Sequence, residues 1–264
     1  MSKIITFSGK GGVGKTTTTA LLLDELARAG YRGRLLAVDG DPATTLYLAL
    51  GLTPPTQTLA DVRDGLQLDA KTLRGLPPGQ TPAQFVARQL LAGQVLARQH
   101  LRRMEFDLLT LGWGEGRPGC YCSLNNALSQ VLTHLWSQYD LIIIDNEAGL
   151  EHLSRYRLQA VDLFITVVTD HPASQIVGQR LEYVARSVGM RLAETVTVEI
   201  NRGLSRYGAH GQTISLPFEP ALGWLGQPVP TLNPHHPLRT AMRPLVARVL
   251  ALVGPPIMAA PVEA

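Results

Sequence analysis

Short, unbroken apolar runs alternate along the chain with stretches of helical spacing. The runs are Ile4–Phe7, Leu35–Val38, Phe106–Leu111, Leu141–Ile144, Leu163–Val168, Thr195–Ile200 and Thr213–Leu216. Runs of this length, rich in β-branched residues and bounded by turn residues, read as strands. Most are continuous in apolar character, so both faces of each strand are buried, the habit of a parallel sheet covered by helices. The pattern predicts an α/β fold: a mostly parallel sheet of about seven strands with helices on both faces.

Residues 53–105 break this rhythm. Pro54-Pro55, Pro77-Pro78-Gly79 and Pro82 punctuate short helical pieces, the best of them from Ala83 to Arg103. They predict a helical excursion on one edge of the sheet, within a single domain covering 1–254. A last helix is expected near Leu238 to Val253, interrupted at Pro244, with Arg239, Arg243 and Arg248 on its wet side. The tail 255–264, rich in Pro and Ala, is expected to fray.

Composition adds bounds. A chain of 264 residues with 45 % apolar and 17 % charged content can bury one sizeable core. Its net charge of +3 is diffuse, with no block of like charges, so no nucleic-acid partner is expected. The N-terminus lacks the order of a secretion signal and no apolar stretch reaches spanning length. A cytoplasmic protein without membrane attachment is expected.

The chemistry concentrates where the first strand ends. Gly9-Lys10-Gly11-Gly12-Val13-Gly14-Lys15-Thr16 has the spacing G-x-x-x-x-G-K-T and stands between a strand and a helix. That is a phosphate-binding loop of a P-loop NTPase. Gly9, Gly11, Gly12 and Gly14 keep side chains out of the way of backbone N–H groups that must face an anion. The helix start at Lys15-Thr16-Thr17 offers unpaired N–H groups and a partial positive charge. Lys15 suits the β- and γ-phosphates and the Thr16 hydroxyl suits magnesium, so ATP or ADP with magnesium is expected here. Lys10 is the residue that most such loops do not require; the lysines are Lys3, Lys10, Lys15 and Lys71, and two of them stand in this loop. A second lysine beside the phosphates can neutralise charge that develops during phosphoryl transfer.

More candidates fall at strand ends, where ligands of such sheets gather. Asp39 and Asp41 follow Val38, Asp145 ends the run Leu141–Ile144, and Asn146-Glu147-Ala148-Gly149 comes next. Two carboxylates at i and i+2 can divide the work of holding a metal-bound water and orienting an attacking one, and they can equally be turn aspartates. Glu147 has two readings, a water-positioning group or a salt bridge within its own segment. Cys120-Tyr121-Cys122 precedes a predicted helix. In a reducing compartment such a pair reads as metal ligands, a redox pair or packing residues. Two thiolates are half of a closed tetrahedral site, which a two-fold dimer would complete. His152 reads as structural and His235-His236 as a solvated pair.

The stretch Gly9–Thr17, with Lys10, resembles the deviant Walker A loop of the superfamily that includes ParA/MinD, ArsA and the nitrogenase iron protein. The resemblance implies a face-to-face homodimer in which Lys10 reaches the partner's nucleotide. It also implies that Asp41 positions the hydrolytic water, that Asp39 and Asp145 assist Thr16 with magnesium, and that Lys10, Lys15 and Asp41 form the catalytic set. Asn201-Arg202 and Pro217-Phe218-Glu219 occupy the places where that superfamily contacts adenine; an amide both donates and accepts, as the adenine edge requires.

Cys120-Tyr121-Cys122, followed by Glu147-Ala148-Gly149-Leu150-Glu151-His152, looks like the CooC-type nickel-insertion ATPases, and the similarity runs from Ile4 to about Glu219. This implies a slow ATPase, yielding ADP and phosphate, in which Cys120 and Cys122 of two subunits bind nickel or zinc at the dimer interface. The client implied is a metalloenzyme such as carbon monoxide dehydrogenase. The wider superfamily keeps two alternatives open: a ParA/MinD-like positioning ATPase that binds DNA or membrane, and an iron–sulfur electron-transfer protein.

Overall fold

The computed structural model describes residues 2–65, 76, 79–92, 94–112, 135–147, 160–201, 213–223 and 226–254. In chain order the described elements are β1 (Lys3–Gly9), α1 (Lys15–Arg28), β2 (Leu35–Gly40), α2 (Leu46–Ala49), α3 (Leu59–Gly65) and α4 (Pro82–Ala92). There follow β3 (Leu96–Leu101), β4 (Met104–Thr110), β5 (Leu141–Asn146), β6 (Ala160–Thr169), α5 (Pro172–Ser187) and β7 (Arg191–Asn201). The last are β8 (Thr213–Pro217), α6 (Pro220–Gly223), a 3-10 turn (Val229–Thr231) and α7 (Pro237–Val253).

The apolar runs meet in one eight-stranded sheet of order β3-β4-β2-β5-β1-β6-β7-β8. Every pairing is parallel except β3–β4. The chain leaves β1 toward β2 on one side and later builds β6, β7 and β8 on the other, so the end of β1 faces a topological switch point. Alternation along the strands divides the core. Ile5, Phe7, Ala37, Ile143 and Ile165 pack beneath α1 and α7, while Ile4, Leu36, Val38, Ile142 and Phe164 pack on the opposite face. Helices therefore cover both faces of a mostly parallel sheet, as the pattern predicts.

Residues 83–103 do not form the single helix expected of them. α4 ends at Ala92, Gln94 takes a left-handed φ of 54°, and Leu96–Leu101 becomes an antiparallel edge strand on β4. The strand turns into β4 through Arg102-Arg103, with Arg102 at φ 56°. A two-residue turn usually advertises itself with Asn or Gly. Here backbone pairing with β4 and an Arg98–Asp107 ion pair of 2.6 Å hold it instead. The strand count rises accordingly from about seven to eight.

α7 also departs from expectation. It runs unbroken through Pro244, whose side chain lies on the exposed side. Arg239, expected in water, is buried at 3 % exposure among α1 residues. Among the described residues no helix is long and apolar enough to cross a membrane.

Candidate nucleotide site

The loop after β1 is shaped before any ligand arrives. Gly14, the residue before α1, has φ 100°, a conformation closed in practice to β-branched residues and open to glycine. Gly9 is constrained differently: a Cβ there would collide with the Val167 carbonyl oxygen of β6. Val13, 5 % exposed, plugs the loop into the core below α1. Gly9→Ala is therefore expected to push the loop off β6 and weaken nucleotide binding at least tenfold, with little change in far-UV circular dichroism. Unchanged affinity in a fluorescent-nucleotide titration would refute this.

The loop opens on a cleft of about 520 Å³. One end is lined by Gly11, Gly12, Val13, Gly14, Lys15, Thr16 and Thr17, with Asp41 and Glu147 across from them. At the other end stand Ile200, Leu216, Pro217, Phe218, Glu219, Leu222, Gly223 and Leu238. A polar, amide-rich end joined to an apolar end is the shape a nucleoside triphosphate needs. Lys10 is exposed beside the cleft, and its backbone oxygen accepts a hydrogen bond of 3.3 Å from Lys15 Nζ. Burial holds the Lys15 amine below its ordinary pKa, against the opposing pull of Asp145, Asp41 and Glu147.

Behind the loop, strand register sets the acidic groups. Phe7 of β1 is level with Asp145 of β5, and Asp145 is level with Asp39 of β2. Both carboxylates are fully buried. Asp39 accepts from Leu46 N at 3.0 Å and Asp41 N at 3.3 Å, so it ties the loop after β2 to α2. Asp41 Oδ1 accepts from Ala43 N at 2.9 Å while the residue lines the cleft. It is a turn aspartate and a cleft residue at once.

Asp145 accepts through its Oδ1 from Thr19 Oγ1 at 3.3 Å. Its Oδ2 is buried without a partner. Burial raises its pKa to about 7, assisted by Asp39 and opposed by Thr16 and Lys15. Burial likewise raises Asp39 to about 6. Two desolvated carboxylates, one with an orphaned oxygen, next to a loop hydroxyl fit a divalent cation that would complete them.

Other sequence candidates are placed less fully. Asn201 ends β7 and pairs in register with Pro217. Arg202, Cys120, Cys122, Gly149 and His152 lie outside the described residues. The apolar wall from Ile200, Leu222 and Leu238 carries little sequence signal; its cue is its place near the end of β7, just after β8 and at the start of α7. His236, expected in solvent, instead caps α7 and pairs with Glu219.

The AAA domain family (AAA_31) matches residues 1–193. An uncharacterized ATP-binding protein of Methanocaldococcus jannaschii is 34 % identical over 195 residues, 74 % of this chain and 73 % of that one. The carbon monoxide dehydrogenase accessory protein CooC of Rhodospirillum rubrum is 26 % identical over 260 residues, 95 % of this chain and 97 % of CooC. The fold superposes on the septum site-determining protein MinD of Pyrococcus horikoshii, solved with Mg-ADP, with a TM-score of 0.66. That match has 22 % identity and covers 96 % of this chain and 98 % of that one. With a phosphate loop, a cleft beside it and a family match over most of its length, this chain belongs to the AAA domain family and is a P-loop ATPase.

Proposed function

We propose that this ATPase is a nucleotide-switched homodimer that holds a soft metal ion, nickel or zinc, and passes it to a client metalloenzyme such as carbon monoxide dehydrogenase. The observation that carries this reading is the nearly end-to-end similarity to CooC, in a chain that also has Cys120-Tyr121-Cys122.

The N–H groups of the loop Gly11–Gly14 and the amine of Lys15 bind the β- and γ-phosphates of ATP. Thr16, with Asp39 and Asp145 behind it, would hold magnesium, which when bound offsets charge on the phosphate oxygens. Asp41 accepts a hydrogen bond from water and aims it at the γ-phosphorus. The new O–P bond forms as the bond to the β,γ-bridging oxygen breaks, leaving ADP and phosphate. Lys10, exposed at the rim, offers its ammonium to a nucleotide held by a second copy, so turnover depends on the dimer. Cys120 and Cys122 of the two copies supply four thiolates to the cargo ion, whose grip then follows the nucleotide state. Arg202, Asn201, Pro217 and Glu219 belong to the adenine end in this reading.

Anaerobic titration with nickel or zinc in the presence of ATP tests the metal role. Wild type is expected to bind about one ion per two chains and the Cys120→Ser/Cys122→Ser variant none above background, with ATP hydrolysis retained. Equal stoichiometry in both proteins would end the proposal.

A further inference from the structure

The adenine end of the cleft contains a carboxylate, and carboxylates are poor partners for adenine. Glu219 lines the cleft. An ionised carboxylate only accepts hydrogen bonds. Guanine presents two adjacent donors, N1–H and its 2-amino group, which two carboxylate oxygens can take in parallel. Adenine sets the N1 lone pair beside its 6-amino group, so the same carboxylate would meet one donor and one repelling acceptor. An unrestrained glutamate at this place would draw the site toward guanine nucleotides.

Glu219 is not unrestrained. Its Oε1 accepts from Ala221 N at 3.0 Å, inside the turn that becomes α6. Its Oε2 lies 2.9 Å from His236 Nε2. His236 is the residue before α7, and its Nδ1 accepts from Leu238 N at 3.3 Å. Because Nδ1 accepts, Nε2 is the ring nitrogen left to face the Glu219 carboxylate. Each carboxylate oxygen thus has a partner within the chain, the α6 backbone for one and the residue that caps α7 for the other. His236 does not line the cleft, but Leu238, two residues on, does. The rest of this end is apolar, from Ile200, Leu216, Phe218 and Leu222. Phe218 is seated against Gly223, where a Cβ would come within 2.6 Å of its ring.

We infer that His236 is a positioning residue for base selection: it holds the Glu219 carboxylate against α6 and α7, away from the base, and so keeps the site selective for adenine over guanine nucleotides. The inference rests on the assignment of this cleft to ATP. It explains why an acidic side chain is compatible with an ATP site.

The test compares steady-state hydrolysis of Mg-ATP and Mg-GTP by the full chain. His236→Asn keeps an acceptor for Leu238 N–H but is too short to reach Glu219. Glu219→Asp leaves His236 in place and withdraws the carboxylate from it. Each is expected to raise the GTP/ATP ratio of kcat/KM about tenfold or more, chiefly through a lower KM for GTP, with kcat moving much less. Adding Glu219→Gln to His236→Asn removes the paired acceptors and is expected to return the ratio to the wild-type value. A ratio within twofold of wild type in both single variants overturns the inference. So does an equal loss with both nucleotides, or a raised ratio that survives Glu219→Gln. The site assignment itself fails separately, if Lys15→Ala hydrolyses ATP as fast as wild type.

Discussion

Asp145→Asn is expected to make the nucleotide-free protein more stable at pH 8 while lowering ATP hydrolysis at least a hundredfold. Both effects come from one buried carboxylate. Burial raises its pKa to about 7, above the ordinary carboxyl value it regains on unfolding. Between about pH 4 and pH 7 the native state therefore binds more protons than the unfolded chain, and stability falls as pH rises through that window. Above it the protein carries the full penalty of a charge without enough partners. Asparagine keeps an oxygen for Thr19 and carries no charge. The gain is on the order of 2 kcal/mol, about 5 °C in Tm, and the fall in Tm from pH 5.5 to pH 8 should flatten. It should flatten only in part, because Asp39, raised to about 6, titrates in the same direction. Thermal melts across that range, with and without Mg-ATP, check it. A variant no more stable than wild type at pH 8, or one that still hydrolyses ATP normally, would mean that Asp145 is not the strained group described here.

The same residue illustrates what the sequence makes legible. An apolar run that ends in a single aspartate, as Ile142-Ile143-Ile144-Asp145 does, says that a charge waits at the end of a buried strand. Parallel register then delivers it to the phosphate loop without further information. Gly9 through Thr17 is legible for a related reason, since its chemistry is local and its residues are contiguous. The edge strand Leu96–Leu101 reads as helix from local spacing, because what makes it a strand is β4, a neighbour that spacing cannot see. The base end was half legible. Pro217 and Glu219 follow a strand, but Leu238 reaches the cleft from α7, and the Glu219–His236 pair closes only once α6 and α7 are folded. Arg239 departs from expectation by the same limit, while Arg243 is exposed as expected: amphipathic spacing assigns a side chain to a face and does not reveal a buried carboxylate on the helix opposite.

That carboxylate is Asp24, fully buried on α1, and it makes Arg239→Ala the substitution with the largest expected cost in stability. Arg239 Nη1 lies 2.6 Å from Asp24 Oδ2 and also meets Glu25. Its Nη2 donates to Val229 O at 3.2 Å and Leu232 O at 3.0 Å, and its Nε to Asn233 O at 3.0 Å. One guanidinium thus joins α7, the loop before it and the helix that begins at the phosphate loop. Burial alone would raise the Asp24 carboxyl, but hydrogen bonds from Arg102 and Arg239 outweigh it and hold the pKa below its ordinary value. The carboxylate is therefore charged at neutral pH, and its stabilising contribution is lost only as pH falls through that lowered value. Truncating Arg239 leaves Asp24 to Arg102, at 2.7 Å, and the more distant Arg28, at 3.4 Å, and takes a donor from Leu232 O, while Val229 O and Asn233 O keep the backbone N–H groups of Leu232 and His236. Breaking one side of such a pair costs about 3–5 kcal/mol, which for a chain of this size lowers Tm by about 10 °C. Replacing both charges, Asp24→Asn with Arg239→Met, is expected to cost less than Arg239→Ala alone, since no buried anion is then left short of a partner. Thermal melts of the two variants decide the point. If Arg239→Ala unfolds within 2 °C of wild type, or the double variant is the weaker of the two, the network is not what fastens α7 to the nucleotide-binding half of the sheet.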